Sequence, residues 1–356
     1  MTTRKSINTA IIGFTVSMSL ISCATVRQPL TNEERRMISE VGGNVELFEE
    51  LLKSPDNGKI NSILVFKEGR LIFERYRSSH DRNMLHDIRS STKAITALLV
   101  GIAIDKGFIK SVDDPILNYF PERLHSNTDF TSIRIVDLLT MRSGLDSDDW
   151  DPSSPGNEEI MYTKDSWIDF FFDLNVVDKP GEKFRYSTAG VVVLGELISR
   201  ASEMPFEQFA DKYLFQVLGI TDYSYERTPV GEIDSGGHLK IKSRDFAKIG
   251  LLVLQQGVWE DQRVVSERWI REINEPAVAI PNTPLTGPYM GYLWWQEPVI
   301  NGEVRSFQSR GNGGQYLIAV PDEKILGVFT GSAYNNDKQY QPFILMKQYV
   351  IPGLRQ

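Results

Sequence analysis

The chain has 356 residues, 41% of them apolar and 24% charged, and a formal net charge of −8. That length and apolar content allow one large domain or two intimate subdomains with an ample core, and the acidic balance argues against nucleic acid as a partner. No basic stripe, zinc-finger spacing, Walker loop or dinucleotide-binding glycine motif is present.

Residues 1–22 read as a processing signal rather than part of the fold. Arg4 and Lys5 form a basic n-region, and residues 7–21 are apolar but too short and too interrupted by polar residues for a comfortable membrane span. The run Leu20-Ile21-Ser22-Cys23 resembles the lipobox of bacterial lipoproteins, which implies lipidation of Cys23. Ala24 in the next position suggests the outer membrane by the known sorting rules. The plainer reading is an ordinary signal peptide with an incidental cysteine. Cys23 is the only cysteine, so no intrachain disulfide can form.

Residues 23–58 read as a linker and helix, with helical periodicity over residues 32–52 carried by Ile38, Val41, Val45, Leu47 and Leu51. Residues 62–66 and 70–76 are strand-like and joined by the hairpin signal Lys67-Glu68-Gly69. A long apolar helix follows, headed by Ser90-Ser91-Thr92-Lys93 and stopped by Gly107. Residues 133–141 form a second short helix, and residues 146–160, rich in Asp, Ser, Pro and Gly, read as a long surface loop. Residues 191–201 and 206–218 are helical, and Ser243 is expected to cap a helix over 244–256 that Gly257 ends. Strands at 315–320 and 325–330 and a helix at 340–350 complete the chain. Strands at both ends with helices between predict an α/β (α+β) fold: an antiparallel sheet built from both termini, flanked by helices, within a domain spanning 59–356. Its mostly helical second subdomain covers approximately 108–235.

Chemistry concentrates at Ser90. Positions three apart share a helix face, so the Lys93 ammonium can reach the Ser90 hydroxyl, and no other serine has a lysine three residues on. A serine hydroxyl needs a neighbouring base. Burial and the helix N-terminus are expected to push the Lys93 pKa down toward neutrality, as that role requires. Two further runs accompany the pair: Tyr186-Ser187-Thr188, ahead of a helix, and Arg310-Gly311-Asn312-Gly313-Gly314-Gln315, opening a strand. Taken singly, each has a plainer reading. Ser90 and Thr92 could be helix caps, Tyr186 a packing tyrosine, and the glycine run a turn.

In this order the motifs resemble the serine β-lactamase and penicillin-recognising (β-lactamase/transpeptidase-like) family. The likeness is strongest to its class C-like branch, which includes esterases and 6-aminohexanoate-dimer-hydrolase-like enzymes. The likeness runs over about residues 62–331, supported by Leu138-Leu139-Thr140-Met141-Arg142-Ser143-Gly144 and Gly291-Tyr292-Leu293-Trp294-Trp295. It implies that Ser90 is acylated, that Lys93 accepts its proton or holds the proton network, and that Tyr186 is the partner base and acid. The Ser90 amide and one from Asn312, Gly313, Gly314 or Gln315 would form the oxyanion hole, with glycines permitting close backbone approach. Two departures matter. Thr188 stands where the family often has an amide side chain, and the last motif lacks its usual cation, which in β-lactam specialists helps seat a carboxylate; only Arg310 is near. No counterpart of the class A glutamate that activates the deacylating water is recognisable.

The expected activity is therefore hydrolysis of a small-molecule ester, amide or peptide bond through an acyl-enzyme. The alternatives are a D,D-peptidase or β-lactamase, and a non-catalytic β-lactam or peptidoglycan sensor. No cofactor is expected. His80, His86, His125 and His238 show no metal-ligand spacing, and without a Gly-x-Ser-x-Gly elbow an α/β-hydrolase triad is disfavoured. Trp150, Tyr162 and Trp167 are candidates for an acyl pocket, with a structural role as the plainer reading, and at least one of Trp294 and Trp295 is expected in the core.

Overall fold

The computed structural model describes residues 28–77, 79–124, 128–275, 278–280, 288–299 and 304–355. The signal segment, Cys23 with its expected lipid and His125 lie outside the described residues. Among the described residues no helix is long and apolar enough to cross a membrane.

Among the described residues the frame is an eight-stranded sheet, antiparallel at each pairing, that joins the two ends of the chain. Ile60–Lys67 lies between Arg70–Tyr76 and Ile325–Gly331, and the sheet continues through Gln315–Val320, Val304–Gly311, Trp295–Val299, Tyr289–Met290 and Val278–Ala279. Successive strand residues face opposite sides, and here both sides are covered. Ile63 and Val65 join Ile38, Phe48, Leu51, Phe329 and Met346 in one core. Leu64 and Phe66 join the larger core on the other side. That double burial is why Ile60–Lys67 is buried along its whole length.

The N-terminal helical region is broken where the sequence pattern runs on. Asn32–Glu40 and Val45–Lys53 are separate helices. Gly42 sits at φ +72°, and Asn44 caps the second helix by accepting from the Glu46 and Leu47 amides. The Gly42-Gly43-Asn44 turn therefore outweighs the apolar spacing on either side of it. The expected cap at Ser243 is likewise corrected. Ser243 begins the helix Ser243–Leu254 without a capping bond, because its hydroxyl is hydrogen-bonded to Ser62, 2.9 Å away in the sheet.

The helix Thr92–Asp105 is buried from Thr92 to Ala103, consistent with a segment that is apolar all round. Two indoles fix it: Trp294 Nε1 donates to Ala94 O (3.1 Å) and Trp269 Nε1 to Ala97 O (3.0 Å). Gly101 makes room for the second, since a Cβ there would lie 2.2 Å from the Trp269 ring. Beyond this helix, Ile135–Leu139, Glu158–Met161, Trp167–Phe172, Thr188–Ser202 and Phe206–Ala210 build the helical part of the molecule. A small three-stranded sheet of Leu85–Asp87, Lys240–Lys242 and Tyr223–Ser224 leads the chain directly into Ser90.

Candidate active site

Ser90 lies in a tight 3₁₀ turn, Arg89–Ser91, that feeds the helix Thr92–Asp105. Asp87 Oδ1 accepts from the Arg89 amide (2.9 Å), and Thr92 Oγ1 donates to Arg89 O (2.7 Å). These bonds hold Arg89 at φ +52°, a left-handed conformation that ordinary residues rarely adopt and that here orients the following serine. The Ser90 side chain is partly exposed, whereas Lys93 is buried.

The structure brings Ser90, Lys93 and Tyr186 together. Lys93 Nζ makes three hydrogen bonds: to Ser90 Oγ (3.1 Å), to Thr188 Oγ1 (2.9 Å) and to Gly236 O (2.6 Å). Tyr186 enters just before the helix Thr188–Ser202, whose N-cap is Ser187. Its ring centroid lies 5.1 Å from Lys93 Nζ, and Ser90 is near enough to pull its hydroxyl's pKa down. Trp150 stacks on the Tyr186 ring at 5.1 Å and 6°, and Trp295 tilts against it at 6.1 Å. Trp150 is exposed and so forms a wall at the mouth. Tyr162 is turned away, donating to Asp234, and Trp167 packs edge-on against Tyr162 in the core. Trp294 and Trp295 are both buried in the core, Trp295 with its ring against Tyr186.

The electrostatics correct the expected state of Lys93. Burial does press its pKa down, but Tyr186, Glu158, Asp149 and Asp234 together outweigh that, and the net direction is upward. Lys93 is an ammonium at rest. Tyr186 is likewise pushed up, by burial, against the opposing pull of Lys93 and Ser90.

These carboxylates escape the sequence reading. Asp149 and Glu158 come from the stretch 146–160, which is not a plain surface loop. Ser147, Ser154 and Asn157 in it are buried, and it ends in the helix Glu158–Met161. Asp149 Oδ2 accepts from the Thr188 amide (2.7 Å), and Asp149 Oδ1 accepts from the Glu158 amide (2.9 Å). Thr188 Oγ1 lies 2.8 Å from Asp149 Oδ2 and 2.6 Å from Glu158 Oε2. Burial, then the neighbouring Glu158, pushes the Asp149 pKa up to about 7. Asp234, wholly buried, accepts from Tyr162 and from the Gly236 amide beneath Lys93.

The glycine run does not simply open a strand. Asn312-Gly313-Gly314 is the turn of a hairpin in which Gly311 pairs with Gln315. Gly313 and Gly314 adopt φ +95° and +94°, which suits glycine alone. A Cβ on Gly311 would lie 2.2 Å from Ile88 O and 3.1 Å from Arg89 Cβ, so the turn is pressed against the backbone that precedes Ser90. The Gln315 side chain is a structural tie: Oε1 accepts from the Gly331 amide and Nε2 donates to Asn312 O and Gly331 O. Arg310 is held on Glu297 and Gln308, beneath the Trp295 ring. Gly311→Ala is expected to lower stability by about 1–3 kcal/mol through overpacking and to cut turnover by moving the turn off Ser90; thermal melting and ester kinetics check it.

His86 Nε2 is 2.8 Å from Gln315 Oε1, and His238 Nδ1 is 3.0 Å from Asp87 Oδ2. Among the described residues no group of three or more His, Cys, Asp or Glu is placed to hold a metal.

The chain is similar to the 6-aminohexanoate-dimer hydrolase of Paenarthrobacter ureafaciens, at 25% identity over 60% of this chain and 56% of that protein. It is also 23% identical to Protein flp of Staphylococcus aureus over 56% of this chain and 40% of that one. The chain thus spans about half the length of the curated relatives it matches. Among solved structures, the putative 6-aminohexanoate-dimer hydrolase from Bacillus anthracis superposes with a TM-score of 0.71 at 18% identity, covering 86% of this chain and 83% of that one. The octameric penicillin-binding protein homologue from Pyrococcus abyssi gives 0.64 at 22%, covering 88% and 76%. EstCE1, titled a hydrolase with promiscuous acyltransferase activity, gives 0.67 at 15%, covering 88% and 98%. With this fold, these hydrolase relatives and the model of the family described as Beta-lactamase matching residues 59–342, the chain belongs to the Beta-lactamase family.

Proposed function

We propose that the protein is a serine hydrolase that cleaves an ester or amide bond through an acyl-enzyme on Ser90. The observation that carries this is a partly exposed Ser90 hydroxyl within 3.1 Å of the buried Lys93 amine, with the Tyr186 ring 5.1 Å from the same Nζ. Ser90 attacks the acyl carbon and Lys93 receives its proton, while Tyr186 returns a proton to the leaving group. The Ser90 amide and an amide of the hairpin turn stabilise the oxyanion, at about 3 kcal/mol for each donor. The Gly314 amide is spent on Gly311 O, Gln315 pairs with Gly311 in the ladder and Gly313 is bridged to Ala333, so the Asn312 amide is the donor left in the turn. The relative named as a 6-aminohexanoate-dimer hydrolase and the neighbour titled a hydrolase with acyltransferase activity support acyl transfer as the chemistry. We also carry the lipid anchor at Cys23, and with it an envelope location, as a proposal whose basis is the sequence alone.

The substrate preference follows from charge. A β-lactam brings a carboxylate that needs a free cation. Arg310 is neutralised by Glu297, and Arg89, beside Ser90, pairs with Asp87 at 3.3 Å. An uncharged ester needs no such partner, and the Trp150–Tyr186–Trp295 wall offers it an apolar surface. Short-acyl p-nitrophenyl esters are therefore expected to be cleaved at least about tenfold more efficiently than a chromogenic cephalosporin, a difference of only about 1.4 kcal/mol. Measuring kcat/KM for both substrates on one preparation tests this, and a preference for the cephalosporin overturns the substrate class.

A further inference from the structure

Lys93 poses a problem for the mechanism just given, because a lysine that is an ammonium at rest cannot take the Ser90 proton. The hydrogen bonds around Thr188 supply a way out. All three Nζ protons are committed, to Ser90 Oγ, Thr188 Oγ1 and Gly236 O. The Thr188 hydroxyl accepts one of them and has a single proton of its own to give. Yet two carboxyl oxygens lie within hydrogen-bond distance of it, Asp149 Oδ2 and Glu158 Oε2. One takes the hydroxyl proton. The other must carry a proton and donate to the remaining lone pair, so the two carboxyls together hold one proton and one negative charge.

We propose that Thr188 is a proton wire from Lys93 to the Asp149–Glu158 pair, and that the pair takes up the lysine proton to make Lys93 the base for Ser90. This rests on Ser90 being the nucleophile. In the step, an Nζ–H bond breaks and its proton passes to Thr188 Oγ1, while the hydroxyl's own proton passes to the ionised carboxylate. The ammonium and the carboxylate become neutral together, so no net charge is created in the site. The lone pair left on Nζ then receives the Ser90 proton as its oxygen bonds to the acyl carbon. Thr188, Asp149 and Glu158 act through Lys93 and are positioning residues.

The groups facing the pair are Lys93 from the helix Thr92–Asp105, Tyr186 and Thr188 at the head of Thr188–Ser202, Tyr162 after Glu158–Met161, and Asp234. The wire needs an ionised acceptor, so acylation fails in acid as the pair takes its second proton. With glutamine at 158, Asp149 is the only acceptor left, and burial holds its pKa up, so the acid limb moves to higher pH.

The test is the burst rate of p-nitrophenol release from p-nitrophenyl acetate by the full chain, across pH. Thr188→Val is expected to slow acylation by about a hundredfold or more with KM little changed, and Thr188→Ser to restore it to within a few-fold. Glu158→Gln is expected to move the acid limb of the acylation rate to higher pH. Acylation by Thr188→Val within a few-fold of wild type overturns the wire, as does equal impairment in Thr188→Ser, which marks a packing role. If Thr188→Val does not fold, an unmoved acid limb in Glu158→Gln overturns it alone. Retained labelling in Ser90→Ala is a separate result that removes the nucleophile assignment itself.

Discussion

Ser90→Ala is expected to abolish covalent labelling by a fluorophosphonate and to lower ester turnover by about 10⁴-fold or more, the scale seen when a serine nucleophile is removed from a catalytic unit. The substitution deletes one oxygen from a partly exposed position. Its backbone amide, the turn at Arg89 and the ties of Ser91 and Thr92 to Gln315 O and Arg89 O are untouched. The fold should therefore melt close to wild type, and the loss belongs to chemistry. Intact-mass spectrometry after incubation with the probe reads the result: an adduct on the variant places the nucleophile elsewhere.

Lys93→Met should cost nearly as much activity and, unlike Ser90→Ala, substantial stability. Methionine matches the stem of lysine but leaves the wholly buried Asp234 and the partly buried Asp149 and Glu158 facing one another without a cation. Lys93 bonds Ser90, Thr188 and Gly236 rather than a carboxylate, and two of the carboxyls keep some solvent access, so the cost falls below the about 3–5 kcal/mol of a broken buried ion pair. The pH dependence gives the cause away. A carboxyl whose folded pKa exceeds its unfolded one stabilises the fold while protonated and loses that contribution as pH rises through the folded value. Asp149 is already such a group, lifted from 3.8 to about 7 by burial and Glu158 against the pull of Lys93. Without Lys93 it rises further. The deficit of the variant should be smallest in acid and largest above neutrality, as denaturant melts at several pH values would record. A deficit independent of pH would mean that lost packing, not lost charge, is responsible.

What could be read from the sequence follows where local and tertiary signals agree. The strand Gln315–Val320 carries apolar residues on both faces and is bounded by glycines and Pro321, and it is found where periodicity puts it. Ser90, Lys93 and Tyr186 announce themselves by spacing and order. Val304–Gly311 goes unread because its chemistry is inverted. Ser306, Gln308 and Arg310 turn inward and satisfy one another and Glu297 in a buried polar network, so a pattern search sees a polar loop. Asp149 and Glu158 are hidden for a related reason. An Asp-, Ser- and Gly-rich stretch has the same composition whether it faces water or folds back onto a lysine, and only tertiary structure supplies the hydroxyl of Thr188 that the carboxyls meet.

The hydroxyls of Ser62 and Thr330 lie 2.7 Å apart although 268 residues of chain separate them, and that closure governs when the molecule can work. The hairpin turn set against Ser90 emerges from the ribosome long after it. At about 5–20 residues per second, the interval between Ser90 and the strand Ile325–Gly331 is on the order of ten seconds or more. Pairings between such remote segments are also the slow ones to form. A growing chain thus displays its nucleophile next to Lys93 while the hairpin turn that would cradle an oxyanion does not yet exist. On the proposed mechanism the half-made protein carries a serine it cannot use, and acyl transfer waits for the arrival of the last strands.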